Sequence, residues 1–320
     1  MTACRSRHSS RWCDRSSTEN PGLRARRNRN RRGKDTIMTV TTKCFDPTAT
    51  FEVEAFDRIY RSGEGEDWPV RIYQPQGDGP FPALVDVHGG AWTRGTYLNN
   101  ENIDQALAAA GMLVMALEFR QSPKHVYPAQ VQDVNYGTRW AKSHAAEFNG
   151  DPDNVGGLGT SSGGHSIMLS ALRYDDPRYA AEAVPGGEDK DASFRYVMTG
   201  WPVLDSHARY MYAKEAGIAR LMEPSETYFP DEAAMQEGSP QQSVERGDYR
   251  VLPPMLILQG KKDDNIPLTI PERFVEIYCA KGGTVDITYF PDMPHAFAQN
   301  PGPDTDRAIG LMKEFLAQQV

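Results

Sequence analysis

Long apolar runs are missing from this chain of 320 residues, and with them any stretch of about 20 consecutive apolar residues that could cross a bilayer as a helix. The first 37 residues also lack the apolar segment of about 7 to 15 residues that a secretory signal carries, and they lack the amphipathic face of a transit peptide. Cysteine is scarce. Cys4, Cys13, Cys44 and Cys279 stand at unrelated spacings, which offer neither a disulfide framework nor a zinc-ligand set. No internal repeat is visible, so repeat architectures drop out.

Beyond position 37 the chain is short of positive charge. Residues 1–37 hold ten Arg and one Lys against Asp14, Glu19 and Asp35, whereas the remainder has 24 basic residues against 40 acidic ones. An acidic body repels nucleic acid and anionic membrane, so neither is expected as a partner. The basic N-terminal stretch is rich in Arg, Ser and Asn, cannot build a core, and is expected to be disordered. A nucleic-acid-binding arm is one reading of it; the plainer one is that translation starts at Met38. Residues 38–320 are then a single domain, long enough to bury a large core, and a cytoplasmic protein is expected.

Strand and helix signals alternate from there on. Phe51 to Arg61 and Trp68 to Gln74 alternate apolar with polar residues, as a pair of antiparallel strands with one wet face does. A continuous apolar strand interrupted only by Asp86 follows at Ala83–Val87, and further strands at Met112–Phe119, Val155–Gly159, Arg195–Thr199, Met255–Gln259 and Thr284–Phe290. Helical periodicity separates them at 102–110, 131–148, 271–280 and 304–318. This pattern predicts a mostly parallel eight-stranded sheet covered by helices on both faces, an α/β fold with right-handed crossovers. Between Asp205 and Leu252 it changes to amphipathic pieces at 207–219 and 231–236, with a Gly-Ser-Pro turn at 238–240. A small cap over the site is expected there, at about 205–250, with its aromatic residues packing it onto the core.

The stretch around which the chain is organised is Gly-Thr-Ser-Ser-Gly at 159–163. It lies between a buried strand and a helix, which is where Gly-x-Ser-x-Gly makes a sharp turn that holds a serine out at the sheet's edge. Ser161 is the candidate nucleophile, and the Ser162 N–H, at the helix N-terminus, is a candidate oxyanion donor. Partners are sought in loops at the carboxyl ends of other strands. The loop after 255–259 supplies Asp263, with Asp264 as the alternative, and the loop after 284–290 supplies His295. A serine hydroxyl is a poor nucleophile at neutral pH; an imidazole takes its proton and a carboxylate orients the imidazole. His88 opens His-Gly-Gly and is expected to hold its own loop, while the N–H groups of Gly89 and Gly90 are the remaining oxyanion candidates. His165, one helical turn past Ser161, is the rival base. Trp92, Tyr97 and Trp201 are the candidate pocket walls. No metal and no cofactor are expected.

Several motifs taken together resemble the α/β-hydrolase fold, and more narrowly the hormone-sensitive-lipase-like esterases with their acetyl-esterase and arylformamidase relatives. They are His88-Gly89-Gly90-Ala91-Trp92, Glu118-Phe119-Arg120 with Ser122-Pro123 and Tyr127-Pro128-Ala129, Asn149-Gly150-Asp151-Pro152, the serine turn, and Pro294-His295-Ala296-Phe297. The resemblance covers about 51–318. It implies a Ser161, Asp263, His295 triad, an oxyanion hole from Gly89, Gly90 and Ser162, and cofactor-free hydrolysis of small soluble esters. It departs from the family pattern at Ala91, at Glu118-Phe119 and at Thr160 and Ser162. The same machinery directed at an amide, carbamate or formamide is the alternative activity, and a non-catalytic receptor on the same scaffold is the alternative of another class. The oligomeric state stays open, a homodimer included.

Overall fold

A computed structural model describes residues 45–63 and 65–320. The basic extension at 1–37 and the start at Met38 lie outside the described residues. The elements run β1 (Val53–Gly63), β2 (Glu66–Pro75), β3 (Phe81–Val87), α1 (Glu101–Ala108), β4 (Leu113–Leu117), α2 (Ala129–His144), β5 (Gly150–Thr160), α3 (Ser162–Leu172), β6 (Val197–Gly200) and α4 (Ser206–Ala216). They continue through α5 (Ala219–Tyr228), α6 (Glu232–Glu237), α7 (Pro240–Arg246), β7 (Met255–Gly260), α8 (Thr269–Ala280), β8 (Val285–Phe290) and α9 (Pro303–Gln319).

The strands form one sheet in the order β1-β2-β4-β3-β5-β6-β7-β8. β2 pairs antiparallel with β1 and β4, and every pair from β4 to β8 is parallel. Parallel strands buried on both faces read as continuous apolar runs, which is why β3, β4 and β7 are buried throughout. Successive residues then face opposite layers. Val85, Val87 and Ile257 join Val131, Val134, Ile167 and Phe274 on one face; Leu84, Val114 and Leu258 join Leu107, Met312 and Phe315 on the other.

The chain leaves β3 toward β4 on one side and returns to β5 on the other, so the carboxyl ends of β3 and β5 flank the point where strand order reverses. Val87 is in register with Gly159. That register brings the His-Gly-Gly loop beside the serine turn, at the switch point where such sheets hold their ligands.

The insertion between β6 and β7 is more helical than its sequence suggested. α5 was not expected, because Pro224 sits inside it and proline removes a helical hydrogen bond. Leu221, Pro224, Ser225 and Tyr228 form its buried face, and burial of that face overrides the local penalty. The Gly-Ser-Pro expected to be a turn instead opens α7: Ser239 Oγ accepts from the Gln242 N–H at 3.3 Å and Pro240 takes the first helical position. A second correction concerns cysteine. Cys279, near the end of α8, is disulfide-bonded, which the spacings did not indicate. The other three cysteines lie outside the described residues. Among the described residues no helix is long and apolar enough to cross a membrane.

Candidate active site

β5 ends at Thr160 and α3 begins at Ser162, leaving Ser161 alone in the turn with φ 51° and ψ −118°. A non-glycine residue there costs on the order of 1–3 kcal/mol unless its surroundings fix it. They do: the Ser161 N–H donates to Gly200 O at 2.9 Å and its carbonyl accepts from the Val203 N–H at 3.0 Å. Glycine is required on both sides. A Cβ on Gly159 would come within 2.6 Å of Ile167 Cγ2, and one on Gly163 would be driven into the carbonyl oxygens of Val87 and His88.

Ser161 Oγ lies 2.9 Å from His295 Nε2, and His295 Nδ1 lies 2.8 Å from Asp263 Oδ2. The Nδ1–H donates to the carboxylate, which leaves Nε2 free to accept the serine proton. The two loops that carry His295 and Asp263 are tied together by the Lys262 N–H, which donates to Met293 O at 3.0 Å. Asp263 has a fully covered side chain, against 16% exposure for His295. Its Oδ1 accepts from the N–H groups of Asn265 and Ile266, each at 2.8 Å, and its Oδ2 also accepts from Gln259 Nε2 at 2.9 Å. Burial works to raise the Asp263 pKa, and the hydrogen bonds from His295, Ile266 and Asn265 outweigh it, so the carboxyl sits below its ordinary value. Asp264 points elsewhere: it is 72% exposed and pairs with Arg220 at 2.6 Å.

The rival base is placed out of reach. His165 is wholly buried, its Nε2–H donating to Gly238 O at 2.7 Å and its Nδ1 accepting from Trp92 Nε1 at 3.2 Å. Burial pushes it down to about 4. His88 packs face to face on Phe119 with ring centroids 4.2 Å apart, and its Nδ1–H donates to Gly89 O at 2.7 Å.

Three expectations, for Gly89, Trp92 and Trp201, need correction. Gly89 is not a free donor: its N–H donates to Thr160 Oγ1 at 3.1 Å. Gly89 nevertheless touches the site, since a Cβ there would sit 2.9 Å from Ser161 Cβ. The N–H groups of Gly90, Ala91 and Ser162 have no acceptor among the described residues. The backbone bends sharply at Gly90 (φ 137°) and Ala91 (φ 53°). Trp92, expected at the pocket wall, is 1% exposed and stacks on Tyr228 at 5.2 Å with Phe229 edge-on to it; its indole N–H has found an internal acceptor, as buried tryptophans require.

Tyr97 is held toward β1, donating its hydroxyl to Asp57 Oδ2 at 3.2 Å. Trp201, also expected at the pocket wall, is 0% exposed and backs His295 from inside the core instead, its ring 6.4 Å from the imidazole and edge-on. An open cleft of about 400 Å³ between the β1–β2 turn and residues 118–125 contains no triad residue. Among the described residues no group of three or more His, Cys, Asp or Glu is placed to hold a metal ion.

Sequence reasoning missed the polar groups behind these residues. Gln259 counted only as a strand residue, although it directly precedes the loop it braces. Thr160, Asn100 and Asp86 form a buried chain that carries no sequence motif: Thr160 Oγ donates to Asn100 Oδ1 at 3.2 Å, and Asn100 Nδ2 donates to Asp86 Oδ1 at 2.9 Å.

A serine on a strained strand-to-helix turn, a histidine and a carboxylate from two later loops, and an eight-stranded sheet with this strand order together define an α/β-hydrolase. A sequence model of the BD-FAE family matches residues 70–277, and the chain belongs to that family. It is 31% identical to the probable carboxylic ester hydrolase LipM of Mycobacterium tuberculosis over 62% of this chain and 45% of that protein. It is 27% identical to esterase LipC of the same organism over 75% of this chain and 59% of that one. The chain spans about half the length of the curated relatives it matches. The propionate-bound esterase of Thermogutta terrifontis superposes with a TM-score of 0.68 at 23% identity, covering 82% of this chain and 94% of that one, a likeness of fold.

Proposed function

We propose that the protein is a serine carboxyl-ester hydrolase acting on small soluble esters through an acyl-enzyme. The observation that carries this reading is the continuous hydrogen-bonded line from Ser161 Oγ through His295 to Asp263, with steps of 2.9 and 2.8 Å, starting from a serine held in a strained turn. Ser161 Oγ attacks the ester carbonyl while His295 Nε2 takes its proton. The negative charge that develops on the carbonyl oxygen is met by the N–H groups of Ser162, Gly90 and Ala91, the last two replacing the expected Gly89 and Gly90 pair. Collapse of the tetrahedral species breaks the ester C–O bond, and the alcohol leaves with the proton from His295. Water, activated by the same imidazole, then releases the acid and restores Ser161.

The names of the mycobacterial relatives support an ester as the bond cleaved. A series of p-nitrophenyl esters of rising chain length, run beside an anilide and a carbamate with Ser161→Ala as control, tests the reading. Ester turnover abolished in the variant is expected. Turnover unchanged by Ser161→Ala sinks the mechanism, preference for the anilide or carbamate moves the activity to C–N bonds, and ligand binding without turnover makes the protein a receptor.

For its compartment we propose the cytoplasm from composition, against which stands the disulfide at Cys279, since cytosolic thiols are kept reduced. Alkylation in intact cells decides: a Cys279 thiol that reacts keeps the protein in the cytoplasm, and one that resists places it in an oxidising compartment.

A further inference from the structure

Arg209 on α4 is 2% exposed. Its Nε and Nη2 both donate to Asn265 Oδ1, at 2.9 and 2.6 Å, and its Nη1 lies 3.4 Å from Ser225 Oγ. The guanidinium carbon stands 5.9 Å over the Trp92 ring. All of these partners are neutral, and a guanidinium buried with no carboxylate against it among the described residues is costly to keep. Burial pushes Arg209 down to about 10, the Asp263 carboxylate works against that, and the cations Arg220 and Arg94 add to it. Arg209 thus stays charged at neutral pH and feels the triad acid. Asn265 belongs to the turn that holds this acid, because its N–H and that of Ile266 donate to Asp263 Oδ1.

We infer that Arg209 is a positioning residue for the Asp263–His295 pair, reaching from the insertion to the 263–266 turn through Asn265 and setting a fixed positive charge behind that turn. The inference rests on the triad reading above. Its first effect is geometric. By gripping the Asn265 side chain, Arg209 holds still the backbone whose N–H groups aim Asp263 at His295 Nδ1. The second effect is electrostatic. A cation in the field of the carboxylate favours its charged form and opposes uptake of a proton by the Asp263–His295 pair as a whole. The other charges bearing on Arg209 lie nearer solvent: Arg220 is 53% exposed and paired with Asp264, and Arg94 is exposed. The groups hydrogen-bonded to or ring-packed on the pair, Ser161, Gln259, Asn265, Ile266 and the Trp201 ring, are neutral.

Three variants of the full chain separate the effects. Arg209→Gln removes the charge at similar length, Arg209→Lys keeps the charge without the fork, and Asn265→Asp keeps the fork and neutralises the charge. The readouts are kcat and KM on a short p-nitrophenyl ester, the rate against pH, and the rate at which an alkyl fluorophosphonate labels Ser161.

For Arg209→Gln the expected result is a fall in kcat of at least about tenfold with KM within about twofold, as misplacement of a catalytic group gives. The acid limb of the pH profile moves upward by about half a unit or more. Asn265→Asp moves the acid limb the same way, and Arg209→Lys loses kcat with the limb unmoved. Parental kcat and an unmoved acid limb in Arg209→Gln overturn the inference. If that variant does not fold, an unmoved limb in Asn265→Asp overturns it instead. A parent protein that neither labels at Ser161 nor hydrolyses any ester defeats the triad reading itself, which is a separate result.

Discussion

Trp92 donates its indole N–H to His165 Nδ1 at 3.2 Å, and this bond sets the tautomer of a histidine that has no contact with solvent. With Nδ1 accepting, the proton must sit on Nε2, which donates to Gly238 O. His165 therefore ties the start of α3 to the insertion as a neutral ring. Its pKa is about 4, against 6.5 for a free histidine, because burial penalises the charged form. A depressed histidine contributes stability that is present above the unfolded value and lost as pH falls from about 6.5 to about 4, by up to about 1.4 kcal/mol per pH unit. His165→Gln keeps one donor and one acceptor but cannot titrate. Urea unfolding of both proteins at pH 5 and pH 7 is expected to show a smaller loss at pH 5 in the variant. Equal losses would mean that the histidine is not held neutral.

The adjacent acids give a sharper contrast. Asp263→Asn keeps the shape of the acid but no longer fixes the histidine tautomer, and a fall in kcat on the order of 10⁴-fold is expected. Asp264→Asn breaks only an exposed ion pair with Arg220, of a kind worth little in water, so kcat within about twofold of the parent is expected. Steady-state kinetics of both variants on one ester decide, and comparable losses would move the acid role to Asp264.

The succession of strands and helices and the three positions that the fold brings together, Ser161, Asp263 and His295, were legible because each leaves a local mark: apolar runs with breakers between them, a glycine-flanked serine, and an Asp and a His just past a strand end. Asp263 against Asp264 was open because adjacent residues in a loop have no fixed direction until the turn forms. The turn forms by Asp263 Oδ1 accepting two backbone N–H groups. Gly89 was misassigned as a donor for a similar reason: whether an N–H is free depends on what stands opposite, and the Thr160 hydroxyl stands there. Pro224 and the Gly-Ser-Pro at 238–240 hid two helices, since tertiary burial and capping outweighed the breaker signal. Arg209, Asn100 and Asp104 carry no motif, and only the folded chain brings them to their partners.

Asp104 and Asp86 form a buried acidic pair beneath the His-Gly-Gly loop, both 0% exposed. Among the described residues neither Asp104 oxygen has a hydrogen-bond partner. Burial pushes Asp86 up to about 7 against the Asn100 hydrogen bond, and burial together with the Asp86 charge raises Asp104 well above its ordinary value. A raised carboxyl contributes stability that is complete below its unfolded value and lost as pH rises through the folded one, so the pair weakens the protein from mildly acid pH to pH 7 and above. Asp104→Asn removes one charge and adds a donor. A gain of about 1 to 2 kcal/mol at pH 8, shrinking toward pH 5, is expected from denaturant unfolding at the two pH values. A destabilisation of equal size at both would show that Asp104 is not raised by its burial and by the Asp86 charge.

Thr160 links this buried pair to the chemistry. Its hydroxyl accepts from the Gly89 N–H and donates to Asn100 Oδ1, so it holds the loop on which Gly90 and Ala91 present their N–H groups. Thr160→Val deletes both bonds, and the stranded Gly89 donor costs about 1–3 kcal/mol of stability. The loop can then drift from the place where the oxyanion forms. Interactions that strengthen only as charge develops act on kcat rather than KM, so a fall in kcat of about tenfold or more with KM nearly constant is expected. Thr160→Ser, which restores the hydroxyl, should recover most of it. If valine lowers the unfolding midpoint while kcat stays at the parental value, the bond is scaffolding alone and the oxyanion donors are held by other means.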